Sequence, residues 1–118
     1  MSELQELMRK ILSFRDERNW QQFHTPRNLA AALAIEAGEL QEVMLWKTDS
    51  EVETLLNSPE GKKDISAEIA DVLIYGLLLC DATAIDPVVA ITEKLIQNGQ
   101  KYPSDLARNS AAKYTKLK

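Results

Sequence analysis

Two stretches of this sequence, LAIEAGEL at residues 33–40 and IADVLIYGLLLC at residues 69–80, are apolar on nearly every face of a helix. Yet carboxylates mark both: Glu36 and Glu39 within the first, Glu68 just before the second and Asp71 within it. A helix that is apolar all round has to be covered on most sides. A chain of 118 residues is long enough to bury a core but leaves much of its surface open. These stretches therefore require helices packed on helices, with a second copy covering what one short chain cannot.

Local signals place the helices. Ser2 with Gln5 has the pattern of a capping box and opens a helix from about Ser2 to Arg18, with Leu4, Leu7, Met8, Ile11, Leu12 and Phe14 at helical spacing. NWQQFHT breaks that pattern. Thr25-Pro26, a cap residue followed by proline, starts a second helix running to about Trp46. Ser50 with Glu53 caps a short helix in the polar segment that follows. A third long helix starts near Pro59 and ends around Ala82. Asp86-Pro87 opens a fourth, which runs to about Lys101 and ends at Tyr102-Pro103. No alternating apolar run flanked by turn residues occurs, so the expected fold is all-α, a four-helix bundle with its core completed by dimerisation. One domain is expected over residues 1–118, with residues 103–118 as a basic C-terminal arm of short helix or extended chain. Gly38, inside the second helix, is expected to serve close helix packing, since glycine there costs about 1 kcal/mol relative to alanine.

Composition excludes several functions. The net charge of −4 gives no basic footprint for duplex nucleic acid. The single Cys80 cannot form an internal disulfide and fits a reducing cytosol, so a cytoplasmic location is expected. The longest apolar run is too short for a membrane span and contains Asp71. Charge is unevenly spread: from Lys94 on, Lys94, Lys101, Arg108, Lys113, Lys116 and Lys118 face one acid, Asp105. A basic segment of this kind suits closure over an acidic site, and equally a solvated tail.

Residues three apart share a helix face, so Glu36–Glu39 and Glu68–Asp71 are two carboxylate pairs. Glu42 turns about 120° away from Glu36 at 3.6 residues per turn. A buried lone carboxylate is costly and takes up a proton, whereas four on two apolar helices call for positive charge between them. Neither pair contains histidine, and all-oxygen sites suit hard cations, Mg2+ with Mn2+ as a substitute. Such an ion usually keeps waters and substrate phosphates, which points to metal-assisted attack of water on a phosphate. A row of solvated acids or a salt-bridge row is the plainer alternative.

Taken together, Glu36-x-x-Glu39 and Glu68-x-x-Asp71 resemble the metal signature of the MazG-like all-α nucleoside triphosphate pyrophosphohydrolases. The flanks NWQQFHTPRNLAAALAIEAGEL, MLWKTD, EIADVLIY, IQNGQKYP and LARNSAAKYT resemble the dCTP pyrophosphatase branch, from about Phe14 to Leu117. The resemblance implies a helical core built between subunits, as a dimer or a tetramer of two dimers. It also implies Mg2+-dependent hydrolysis of a deoxynucleoside triphosphate, dCTP or a modified dCTP, to monophosphate and pyrophosphate. By that resemblance Glu36, Glu39, Glu68 and Asp71 are the metal ligands, and Glu36 or Glu39 orients or deprotonates the water that attacks the α-phosphorus. Trp20, His24 and Trp46 match positions used around the base, where aromatic faces stack. Tyr75, one turn after Asp71, together with Lys94, Asn98, Lys101 and Tyr102, matches positions facing the triphosphate. The animal enzymes of this branch carry a histidine nine residues before the tryptophan, where this chain has Ile11. The remaining alternatives are a broad-specificity or other-base dNTP pyrophosphatase, and a non-catalytic helical interaction module.

Overall fold

A computed structural model describes residues 1–117, all of them in helices, 3-10 turns and connecting loops. Helices α1 (Glu3–Glu17), α2 (Pro26–Met44), α3 (Asp49–Asn57) and α4 (Pro59–Ala82) belong to one compact unit, and α5 (Pro87–Lys101) and α6 (Ser104–Ala107) to a second. No strand occurs among the described residues.

Caps set most of the boundaries. The Ser2 side chain accepts from the Gln5 N–H, and the Gln5 side chain accepts from the Ser2 N–H, closing the expected capping box. Thr25 and Asp86 cap α2 and α5, each followed by proline in the first turn. Helix α3 departs from expectation. Its cap is Thr48, with Glu51 completing the capping box, two residues ahead of Ser50 and Glu53. Both pairs fit the same pattern. Starting at Thr48 puts Asp49 and Glu51 in the first turn, where acids favour the helix dipole.

The second helix stops earlier than its apolar sequence suggests. It ends at Met44, with Leu45 as C-cap, and Trp46 adopts a left-handed φ of 63° with 91% of its surface exposed. A tryptophan in that region is unusual and strained. The turn at Leu45–Lys47 is what lets Thr48 open α3 immediately afterwards.

Within the first unit α2 packs chiefly on α4, α3 folds back on α4, and α1 lies more lightly against it. Leu29, Ile65 and Leu78 are its buried apolar residues. Gly61, the third residue of α4, is buried where a side chain would collide with the Leu55 carbonyl oxygen, so this glycine permits the tight α3–α4 corner. Gly38 has no close neighbour within the chain. A Cβ built on it meets nothing within 4 Å, so no element of the same chain packs closely there.

Burial on most sides of α2 and α4 is not achieved within the chain. Ile35 on α2 is 63% exposed and Leu73 on α4 is 61% exposed, and Ile69 is also open. In the second unit Val88, Ile91, Leu95 and Ile96 of α5 are all exposed. No single helix is long and apolar enough to cross a membrane.

Candidate metal and nucleotide site

Helices α2 and α4 bring their carboxylates face to face. Glu36 and Glu39, one turn apart on α2, meet Glu68 of α4 so closely that one oxygen from each lies within 4.8 Å of the others. Oε2 of Glu36 and Oε2 of Glu68 are buried with no hydrogen-bond partner. An orphaned buried carboxylate oxygen is unfavourable by about 1–3 kcal/mol or more. Glu36 shows the consequence. Burial first, then its contact with Glu39 and the charges of Glu39, Asp71 and Glu68, hold its carboxyl above the ordinary value of 4.5.

A divalent cation fits these residues. The donors are all hard oxygens, they come from two rigid helices, and two of the oxygens lack any other partner. Asp71 stands slightly apart. It does not share the three-carboxylate cluster, but its charge reaches Glu36 and its side chain lines an adjoining cavity. Glu42 lies outside the cluster, on an exposed face.

That half-open cavity, of about 340 Å3, is lined by Ile11, Phe14, Trp20, His24, Asp71 and Tyr75, with Lys10, Arg15, Ile74 and Leu78 completing its wall. The segment after α1 explains how Trp20 and His24 enter it. Helix α1 ends at Arg18, and Asn19 takes the left-handed conformation (φ 54°) that asparagine tolerates at such a position. The Trp20 N–H then donates back to the Arg15 carbonyl (3.1 Å), and a 3-10 turn over Gln21–Phe23 carries the chain to His24. The Trp20 ring stands edge-on to Phe14, centroids 5.9 Å apart, and 6.4 Å from the His24 ring. Burial, aided by the charge of Arg15, pushes His24 below its ordinary value of 6.5, so it is neutral at pH 7. Its Nδ1 is buried without a partner.

The first unit thus gathers Glu36, Glu39 and Glu68 in one cluster, and Trp20, His24, Asp71 and Tyr75 around one cavity. Trp46 does not line that cavity. Lys94, Asn98, Lys101 and Tyr102 belong to the second unit. There the Lys94 Nζ donates to Gln97 Oε1 (3.0 Å), the Tyr102 N–H donates to the Asn98 carbonyl (2.8 Å), and Lys101 and Tyr102 both pack on the Tyr114 ring. Arg15 was not singled out from the sequence. The signal was there: it follows Ile11 by one turn, so the apolar stripe of α1 carries a charge where an apolar residue is due.

Hard carboxylate donors from two helices, beside an aromatic-walled cavity, form a helical cluster that could hold a cation. The chain belongs to the MazG-like family, which it matches over residues 31–117. It is 42% identical to the dCTP pyrophosphatase 1 of Homo sapiens over 114 residues, 97% of this chain and 67% of that protein, and 41% identical to its Rattus norvegicus counterpart over the same shares. A solved pyrophosphatase from Archaeoglobus fulgidus superposes with a TM-score of 0.80 at 40% identity, covering 87% of this chain and 94% of that one.

In the metal-free protein the raised Glu36 carboxyl links stability to pH. The folded state holds this proton more tightly than the unfolded chain does. The stability it contributes is therefore full below pH 4.5 and is lost as pH rises through the raised value. Glu36→Gln is expected to raise the melting temperature of the metal-free protein at pH 7.5 and to shrink that loss between pH 5 and 7.5. The same substitution should remove the stabilisation that added Mg2+ gives the wild type. Calorimetric scans across pH, with and without the ion, measure both effects.

Proposed function

We propose that this protein hydrolyses a deoxynucleoside triphosphate, dCTP or a modified dCTP, to the monophosphate and pyrophosphate, using Mg2+. The observation that carries the reading is the pair of orphaned carboxylate oxygens on Glu36 and Glu68 beside a cavity walled by Trp20 and His24. The kinship with dCTP pyrophosphatases gives that site its substrate class. Mn2+ is the expected substitute for Mg2+, since both prefer oxygen donors.

In this reading Glu36, Glu39, Glu68 and Asp71 hold the ion. When bound, it neutralises phosphate charge and makes water a better nucleophile. Glu39, the exposed member of the cluster, takes the proton of the attacking water, and Glu36 fixes that carboxylate's position through their contact. Trp20 offers a face to the base, and neutral His24 bounds it without adding charge. Tyr75, one turn from Asp71, donates its hydroxyl toward the phosphates. Trp46, Lys94, Asn98, Lys101 and Tyr102 are given to the nucleotide on the resemblance of their motifs. The strained, open presentation of Trp46 favours a contact beyond its own chain.

The exposed apolar faces of α2, α4 and α5 support a homodimer or a homotetramer whose core is completed between copies. Sedimentation equilibrium is expected to give a mass of two or four chains, and a monomer at micromolar concentration contradicts the assembly.

Release of pyrophosphate from dCTP in the presence of Mg2+ tests the activity. Glu39→Gln is expected to lower kcat by about 10²–10⁴-fold while the circular dichroism spectrum is kept. If the wild type releases no pyrophosphate from any dNTP and Glu39→Gln is indistinguishable from it, the protein is a helical interaction module instead; an active wild type matched by Glu39→Gln overturns the role given to Glu39.

A further inference from the structure

Arg15 is the one charged residue buried in the first unit, with 8% of its surface exposed. Its guanidinium is fixed from two sides. Nε donates to Asp16 Oδ1 at 2.8 Å, and Nη1 donates to Asp81 Oδ2 at 3.0 Å, tying the end of α1 to α4. Nη2 has no hydrogen-bond partner among the described residues. It is also absent from the enclosed, unpartnered side-chain atoms, which are confined to His24, Glu36 and Glu68, so solvent reaches it. Arg15 lines the cavity that holds Trp20 and His24, one helical turn from Ile11.

Charge decides what such a donor is for. A guanidinium that binds phosphate brings net positive charge to the anion. Here the guanidinium is already neutralised by two carboxylates, Asp16 and Asp81, while Lys10 and Asp71 put one further charge of each sign on the cavity wall. The surroundings offer no excess of positive charge to an anion. They suit a neutral acceptor: a carbonyl on the edge of a flat, uncharged ring stacked against Trp20.

We infer that Arg15 selects the base, donating from Nη2 to the ring carbonyl that every pyrimidine carries beside its glycosidic bond and that adenine lacks. The inference rests on the nucleotide-hydrolase reading above and adds to it the residue that discriminates among bases. A nucleotide that fills the cavity displaces the water around Nη2. A base with no carbonyl there leaves a charged donor unpaired, which weakens binding. Asp16 and Asp81 act as positioning residues, since they set the guanidinium plane.

The test uses the full-length protein and kcat/KM for dCTP, dTTP and dATP. Removing one partner of a buried ion pair leaves an uncompensated charge, whereas replacing both keeps the fold. The informative variant is therefore the double Arg15→Leu/Asp81→Leu, with Arg15→Gln/Asp81→Asn as the closer match in shape. The wild type is expected to favour both pyrimidine nucleotides over dATP. In the double variants that preference should shrink by about 10–100-fold, through a rise in KM for the pyrimidines with kcat little changed. Arg15→Lys, which keeps the charge but loses the rigid fork, should fall between. An equal fall for all three nucleotides, or a fall in kcat alone, makes Arg15 a purely structural tie and overturns the inference. No change in either variant overturns it as well. A wild type inactive on every nucleotide overturns the hydrolase reading first, which separates the two failures.

Discussion

Glu36 and Glu68 each bury a carboxylate oxygen that no donor among the described residues meets, and they do so on α2 and α4, the most extensively packed pair of helices. Like charges at this range, away from water, oppose the packing that brings them together. The rest of the first unit compensates. Leu29, Ile65 and Leu78 supply buried apolar contact, and Arg15 locks α1 onto α4. In the proposed reading, stability is given up at this point so that an ion can be held there, an exchange known from working sites.

Beside the charge cluster lies a cavity of different character. Its wall is largely apolar and aromatic, and its polar groups are few: neutral His24, the Tyr75 hydroxyl, Lys10, Asp71, and Arg15 held between two aspartates. Asp71 belongs to both regions, lining the cavity while its charge acts on Glu36. The division matches the two chemistries of a nucleotide. Phosphates require concentrated positive charge, while a base requires flat apolar contact and a few directed hydrogen bonds.

The long helices were legible in the sequence because their signals are local. Ser2 with Gln5, Thr25-Pro26 and Asp86-Pro87 each satisfy open backbone groups within one turn, whatever the rest of the chain does. The carboxylate cluster was legible for a similar reason, since spacing alone puts Glu36 and Glu39 on one face. The start of α3 was less so, because overlapping cap patterns at Thr48 and Ser50 differ only in how each serves the first turn. Trp46 was misplaced because hydrophobicity says nothing about a left-handed backbone. Arg15 was missed because its partner, Asp81, lies 66 residues away, and no local pattern joins them.

We propose that Glu36, Glu39 and Glu68 converge in order to hold a divalent ion. Anomalous diffraction from crystals soaked in Mn2+ tests it most directly. A strong peak is expected between α2 and α4, bounded by carboxylate oxygens of those three residues and weakened in Glu68→Gln. Crystals with no peak there, or with ordered manganese only at other acids, contradict it.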